Sequence, residues 1–196
     1  MSSRQSSFTI RAMGPYTEPS DETLAVRAEK GDQEAISVLV RRHSPALYGF
    51  IQRYRPDRDD ADDLLQETWI RVLAHLDRFD PNKRFSTWLF QIALNLCRDR
   101  ARRDQVRFRF QRDMQEMPQE NTRVTVEENV DARKVVKAIE GLPPQQKEAL
   151  LLRYYQGFSE GETSEILGCP KGTVKSRLHQ AVETLRSKLG PREVEP

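Results

Sequence analysis

Apolar side chains recur at steps of three and four residues in one segment of this chain after another. Within residues 33–54, for example, Leu39, Leu47, Phe50 and Ile51 follow this spacing, which places them on one face of an α-helix. Charged residues make up 32% and hydrophobic residues 37% of the 196 residues, so only closely patterned apolar faces can form a core. The pattern predicts an all-α protein of two thin helical bundles rather than one thick sheet protein.

Changes in composition divide the chain into four parts. Residues 1–20 are rich in Ser and Pro and predict a disordered tail. Residues 21–104 hold a first group of helices, and residues 130–196 hold a second. Residues 105–129 are acidic and lack a lasting apolar period, which predicts a flexible linker. We therefore expect two small helical domains joined by a flexible linker.

Capping residues and Gly or Pro breaks predict where the helices begin and end. The segment 79–87 reads as a loop with two basic residues, and Pro45 should kink the second helix or start a new segment. Helices are expected at about residues 20–31, 33–54, 60–76, 86–103, 130–141, 145–155, 159–167 and 171–189.

Several protein classes are excluded at this stage. No run approaches the roughly 18–20 apolar residues that a membrane span needs. Residues 1–9 lack the apolar centre of a signal peptide. Cys97 and Cys169 stand alone without a Cys/His cluster, which argues against a zinc site or disulfide framework and suits a reducing cytoplasm. We expect no metal and no cofactor.

The net charge of +2 conceals two clusters of opposite sign. Residues 57–67 carry six acidic side chains and only Arg58, whereas residues 98–112 carry seven Arg and only Asp99 and Asp104. Two such clusters suggest two different partners. The alternative is that both are ordinary solvated helix faces.

The acidic cluster opens the third predicted helix. Asp60, Asp62 and Asp63 lie in its first turn, where negative charge stabilises the positive end of the helix dipole. Part of the acidity is therefore capping. A second set of side chains on this helix, at steps of three and four residues, need not be buried. We call this set the acidic stripe; it consists of Asp62, Asp63, Gln66, Glu67 and Ile70.

The fourth predicted helix has a polar stripe headed by an aromatic residue. An aromatic ring, amides and cations on one face suit single-stranded nucleic acid, since they supply stacking, hydrogen bonds to bases and phosphate neutralisation. Alternatively, Trp88 belongs to the core, as Trp usually does. We call this set the base-facing stripe: Trp88, Gln91, Asn95, Arg98 and Arg102.

The last two predicted helices have the layout of a helix-turn-helix, because a short helix is followed by Gly168–Cys169–Pro170 and an amphipathic helix. In that motif the second helix enters the major groove, with Lys, Gln and Ser reading bases and Arg holding the backbone. A plain helical bundle with a polar surface is the alternative. The recognition face consists of Lys171, Thr173, Lys175, Ser176, Arg177, His179 and Gln180.

Motifs in three parts of the chain resemble bacterial sigma factors of the extracytoplasmic-function class. Residues 61–72 (ADDLLQETWIRV) resemble region 2.2, and residues 85–95 (FSTWLFQIALN) resemble regions 2.3 and 2.4. Residues 142–143, 155–159 and 168–178 resemble region 4. The resemblance covers about residues 21–104 and 130–189, with the motifs in the family's order.

The resemblance implies a transcription initiation factor and not an enzyme. The acidic stripe would dock on the clamp helices of the largest subunit of core RNA polymerase, and region 4 on the flap of the second-largest. The base-facing stripe, with Lys83 and Arg84 from the preceding loop, would capture unstacked bases of the −10 promoter element. The recognition face would read the −35 element as duplex, and the linker would thread near the RNA path. An anti-sigma factor is an expected partner.

Four positions depart from the family pattern. Thr163 and Ser164 replace the usual Ile and Ala, and Gln180 and Val182 stand where Arg is common. Gly161 adds flexibility to the first helix of the motif, at a cost of about 1 kcal/mol. These changes put in question the packing of that helix and the strength or preference of −35 binding.

Two other functions compete with this one. A DNA-binding repressor or activator would explain residues 130–189 but not the acidic and base-facing stripes. A nucleic-acid enzyme is disfavoured because His43, His75 and His179 are scattered and no phosphate-binding Gly-x-x-x-x-Gly-Lys loop occurs.

Overall fold

The computed structural model of the protein describes residues 18–55, 58–112 and 130–189. Within those ranges the chain forms eight α-helices and no strand, and none of these helices is long and apolar enough to cross a membrane. The all-α prediction is confirmed. The helices are α1 Asp21–Glu29, α2 Gln33–Tyr54, α3 Arg58–Ala74, α4 Phe85–Arg112, α5 Val130–Glu140, α6 Pro144–Leu150, α7 Glu160–Leu167 and α8 Lys171–Leu189.

Helices α1–α4 form an N-terminal bundle around fully buried side chains such as Leu24, Phe50 and Phe85. Ser20 begins α1 by accepting a hydrogen bond from the backbone N–H of Thr23. Helix α2 runs without interruption through Pro45. The expectation that this proline starts a new segment is therefore wrong.

Helix α3 buries one face against its neighbours in this bundle. Leu64, Thr68 and Val72 are fully buried there. Leu65, the residue after Leu64, is only half-buried. A short 3₁₀ turn, Leu76–Arg78, leads into the loop before α4.

Helix α4 differs from its prediction at both ends. It begins at Phe85, whose backbone N–H donates to Glu22 Oε1 at 3.1 Å, so the acceptor at this end comes from α1. It continues past the predicted end near Arg103 to Arg112. The first residues of the predicted linker are therefore helical. Residues 113–129, and residues 1–17 of the predicted tail, lie outside the described residues.

Helices α5–α8 form a C-terminal bundle in which α7 and α8 have the predicted helix-turn-helix layout. Ser159 and Glu162 close a capping box at the start of α7. Gly168 ends it with a φ of +65°, a left-handed conformation that suits glycine. Helix α6 is shorter than predicted and passes into a π-helical turn, Leu151–Tyr155.

The two bundles are in contact, which the sequence did not predict. Helix α7 packs on α4, and the π-helical turn packs on α2. As a result, buried side chains from both bundles belong to one hydrophobic cluster, in which Leu151, Leu152 and Ile166 join Phe50 and Leu89.

Candidate nucleic-acid interface

Trp88 heads the base-facing stripe in a half-buried position. Its ring lies 5.4 Å from that of Phe79 and 6.0 Å from that of Phe85, centroid to centroid. Both phenylalanines are buried, so Trp88 rests on a rigid aromatic support and retains partial exposure. Trp88 is thus packed against the core without being sealed inside it.

Further along α4, the polar members of the stripe reach solvent. Gln91, Asn95 and Arg102 are exposed. Arg102 forms only a loose pair with Asp99 at 3.6 Å, on the same helix. The amides of Gln91 and Asn95 are therefore available to donate to and accept from a ligand that runs along α4 from Trp88.

Arg98 occupies a different environment from the rest of the stripe. Its Nε and one terminal nitrogen donate to the two carboxylate oxygens of Glu148, at 3.0 and 2.6 Å. The Glu148 side chain is only 3% exposed and belongs to α6 of the other bundle. Hydrogen bonding to Glu148 raises the pKa of Arg98. Arg98 was predicted to face DNA, but in this structure a carboxylate of the same chain already binds it.

The loop before α4 is organised by Asp80. This carboxylate accepts from the backbone N–H and the side-chain amide of Asn82, both at 3.0 Å. The backbone hydrogen bond is the main reason that the pKa of Asp80 is lowered. The turn holds Lys83 exposed, whereas Arg84 forms an ion pair with Glu162 of α7.

Part of the acidic cluster pairs with the basic cluster inside the N-terminal bundle. Asp60 binds Arg55 at 2.5 Å and Arg100 at 2.9 Å. Arg55 also binds Asp104 at 2.5 Å. These residues join α2, α3 and α4, so this fraction of the charge stabilises the fold and is not free for a partner.

The acidic stripe itself lies on the outer side of α3. Asp62, Asp63 and Gln66 are exposed, and Glu67 is half-buried and pairs with Arg71 at 2.8 Å. Two apolar side chains accompany these polar residues: Ile70 is 66% and Leu73 is 39% exposed. Sequence reasoning missed Leu73, although its position three residues after Ile70 could have indicated it.

The recognition face is exposed along most of its length. Val174, Leu178 and Ala181 turn inward, while Lys171, Lys175, Ser176, His179 and Gln180 face solvent. Lys175 approaches Glu160 at 3.6 Å. Arg177 is half-buried and donates to Gln145 Oε1 at 3.0 Å, which ties it to α6. Leu189, the last residue of α8, is 40% exposed.

The departures in α7 have local consequences. Ser164 Oγ donates to the carbonyl of Cys169 at 2.7 Å and so fastens the turn of the motif. Thr163 is fully buried, and its hydroxyl has no hydrogen-bond partner. A Cβ at Gly161 would lie 3.4 Å from Cε of Lys171, so the glycine lets the lysine stem pass close to α7.

Metal-binding groups do not converge in the described part of the chain, where no cluster of three or more His, Cys, Asp or Glu side chains could hold an ion. Cys97 is buried, and burial raises the pKa of its thiol to about 12. It is therefore an unreactive core residue.

Family models match both bundles. Residues 39–107 match the model described as Sigma-70 region 2, and residues 132–185 match Sigma-70, region 4.

Characterised relatives are similar over most of their length. NccH, an RNA polymerase sigma factor of Alcaligenes xylosoxydans, is 36% identical across 91% of this chain and 100% of its own. The sigma factor SigW of Bacillus subtilis is 32% identical across 83% of this chain and 93% of its own.

Two solved structures are similar to this chain over most of its length. CnrH in complex with the cytosolic domain of CnrY superposes with a TM-score of 0.67 at 29% identity, covering 87% of this chain and 97% of that one. The sigma factor RpoE of Bartonella quintana, bound to the anti-sigma factor NepR, gives 0.66 at 27% identity, covering 86% and 99%.

Proposed function

The chain belongs to the extracytoplasmic-function sigma factors of bacterial RNA polymerase, and on that premise we propose that it binds core polymerase, recognises −35 and −10 promoter elements and promotes DNA melting. It is an initiation factor and not an enzyme. Residues 21–104 act as region 2 and residues 130–196 as region 4. Residues 105–129 connect them.

The observation that carries this proposal is the pair of exposed amides, Gln91 and Asn95, on the same face of α4 as the supported Trp88. Removing a base from the stack costs a few kcal/mol. Stacking on an aromatic ring returns about 1–3 kcal/mol per base, and Asn95 and Gln91 add hydrogen bonds to the base edges. Because Phe79 and Phe85 fix the Trp88 ring in advance, little ordering is required when the strand binds. Lys83 and Arg102 neutralise phosphates.

Duplex recognition falls to α8. Its exposed Lys175, His179 and Gln180 can reach base edges in the major groove, while Lys171 and Thr173 at the helix N-terminus meet phosphates. Arg177 lies at the edge of the recognition face, where it donates a hydrogen bond to Gln145, and it contacts the DNA backbone. The family's usual Arg is absent at Gln180, so this position favours adenine over phosphate contact.

Polymerase binding falls to the acidic stripe. Exposed carboxylates on one helix face, next to the apolar Ile70 and Leu73, combine steering charge with a small apolar centre. These residues dock on the clamp helices, and region 4 docks on the flap.

An anti-sigma factor binds this protein and controls its activity. The similar RpoE structure holds an anti-sigma factor, and the present chain has the same two regions. The protein acts in the cytoplasm, where polymerase and promoters are.

Run-off transcription with core polymerase on a library of genomic promoter fragments tests the proposal. We expect transcripts from a subset of promoters only when this chain is added. Stable binding to promoter duplex without polymerase, together with no transcript, would instead favour a repressor or activator.

A further inference from the structure

The basic cluster at residues 98–112 has two parts with different surroundings. In the first part, Arg98 binds Glu148 at 2.6 Å and Arg100 binds Asp60 at 2.9 Å. These arginines are engaged within the fold, so they do not explain why the cluster continues for another two turns of helix.

The second part of the cluster is exposed and unpaired. We call it the arginine arm; it consists of Arg103, Arg107 and Arg109, all of which are exposed. No carboxylate within residues 18–55, 58–112 and 130–189 forms an ion pair with any of the three. Arg103 and Arg107 lie one helical turn apart, a spacing at which like charges repel each other. An anionic ligand would therefore stabilise this end of α4.

The arginine arm lies beyond the packed part of α4. The last side chain described as buried on this helix is that of Cys97. The last one that binds another helix is Asp104, which pairs with Arg55 at the end of α2. After Asp104, every described side chain of α4 is exposed. The sequence predicts a linker from residue 105, but the structure presents its first residues as a basic helix.

The base-facing stripe leads directly to this arm. Its steps of three and four residues reach Arg102, and the same steps continue to Val106 and Arg109. At 1.5 Å per residue, Arg109 lies about 21 Å along the helix from Asn95. Duplex DNA of about six base pairs, at 3.4 Å each, has the same length. A ligand that starts on the stripe can therefore continue along the arm.

We propose that the arginine arm binds the phosphate backbone of duplex DNA that adjoins the strand held on the base-facing stripe. A guanidinium can donate two parallel hydrogen bonds to one phosphate. Duplex offers one negative charge per about 1.7 Å of its axis, so a row of arginines gains several contacts at once. Arg103 and Arg107 lie to one side of Arg109 on the helix, so the arm can contact both strands.

The position of this duplex in a promoter rests on the proposed function, whereas the binding of duplex does not. The chain continues from the arm towards the helix-turn-helix, which is proposed to read the −35 element. The duplex on the arm is therefore the one upstream of the melted segment. Its phosphates are held whatever their sequence, because phosphate contacts carry no direct base information.

The salt dependence of duplex binding by the full chain tests the proposal without polymerase and without a known promoter. The probe is a fluorescent duplex of random sequence. The test variant carries Arg103→Gln, Arg107→Gln and Arg109→Gln, which remove the charge and keep good helix formers. The control variant removes the same charge from exposed positions elsewhere in the N-terminal bundle, with Lys30→Gln, Arg41→Gln and Arg78→Gln. Circular dichroism checks that helicity is kept.

Each phosphate contact contributes about 0.9 to the slope of log binding constant against log salt concentration. We expect the slope of the test variant to be smaller than that of the wild type by about two to three, and the slope of the control to change by less than one. Arg103→Lys with Arg107→Lys and Arg109→Lys keeps the charge and should restore the slope. Equal slopes in the test and control variants would overturn the proposal, and so would failure of the lysine variant to restore the slope.

Holoenzyme on a promoter obtained from the run-off assay tests the upstream position. Two fork-junction probes differ only in the phosphates of the duplex next to the fork, which one probe replaces by neutral methylphosphonates. We expect the wild type to bind the neutral probe several-fold more weakly and the test variant to bind both probes equally. The same loss in both proteins would overturn the upstream position.

A polymerase subunit is the alternative ligand of the arm. Weaker binding of the test variant to core polymerase in the absence of DNA would show that the arm binds protein, and would overturn the proposal. Failure of the proposed function would show separately, as absence of transcription by the wild type with core polymerase, and it would leave the salt slopes measurable.

Discussion

The two surfaces proposed to meet DNA differ in what already surrounds them. On α4, Trp88 packs against two buried aromatic rings. Arg98 of this helix, and Arg84 in the loop before it, form ion pairs with carboxylates of the C-terminal bundle. On α8, the side chains of the recognition face project from a short, tightly capped motif, and Lys175 has only a loose neighbour at 3.6 Å.

This difference follows from the state of the DNA that each surface would bind. Duplex already displays its base edges in the major groove, so an exposed helix suffices to read them. An unstacked base needs a surface organised in advance, with a rigid aromatic support and cations near it. Such cations also attract the chain's own carboxylates when no DNA is present.

The largest expected effect concerns polymerase binding, on which both DNA surfaces depend. Asp63→Lys with Glu67→Lys reverses two charges of the acidic stripe and should weaken binding to core polymerase about 30-fold or more, because close charge pairs at interfaces are worth about 2–5 kcal/mol. A pull-down titration with core enzyme measures this. Glu29→Lys with Asp77→Lys reverses two exposed charges elsewhere and should bind normally. Equal binding by both pairs would make the stripe an ordinary solvated face.

The next effect isolates the α4 surface. Asn95→Ala should reduce transcription initiation about 10-fold, since the variant loses hydrogen bonds to an unstacked base worth about 1–3 kcal/mol, while core binding is kept. Run-off assays and the same pull-down separate the two. Gln52→Ala removes an exposed amide from α2 and serves as the control. Loss of core binding by Asn95→Ala would contradict its assignment.

A smaller effect is expected on the α8 surface. Lys171→Ala should weaken promoter binding by the holoenzyme about 3–5-fold for all sequences alike and lower the salt dependence by about one charge. Binding at several salt concentrations measures the slope. Lys30→Ala, an exposed lysine after α1, should leave it unchanged. A loss confined to one base pair would mean that Lys171 reads sequence instead.

The smallest effect tests how well the motif on α7 and α8 is built. Thr163→Val removes a buried hydroxyl without a hydrogen-bond partner and should stabilise the protein by about 1 kcal/mol. Ser164→Ala removes the hydrogen bond to Cys169 and should destabilise it by about the same amount. Thermal unfolding compares them. A destabilised Thr163→Val would show that the threonine has a partner in solution.

Local signals predicted the helix-turn-helix well. The sequence placed α8 at residues 171–189, the observed Lys171–Leu189, because Gly168 and Pro170 act within a few residues of themselves. Ser159 and Glu162 likewise form their capping box from adjacent backbone. For the sites, the sequence identified Asn95, Gln91 and the acidic stripe as outward-facing, and each is exposed or half-buried.

Predictions failed where residues far apart in the chain determine which side chains are buried or paired. Helix α2 continues through Pro45, so the alternative that this proline starts a new segment failed, although the predicted helix 33–54 is observed. Leu64 and Leu65 are adjacent, and only the position of the neighbouring helices determines which one is buried. The sequence predicts that Arg98 is available to DNA, because no local pattern indicates that Glu148, fifty residues further along the chain, binds it.

The sequence by itself determined the helices, because periodicity, capping and turn residues act over one or two turns of chain, and the order of its motifs indicated the family by resemblance. Only the tertiary structure decided which charges are available. Whether Arg98 faces solvent or Glu148, and whether Asp60 meets a partner or Arg55, depends on contacts between elements far apart in the chain. Hydrogen bonds form only at about 3 Å between donor and acceptor, and Coulombic energies weaken with the distance between charges, so both depend on spatial position and not on sequence spacing.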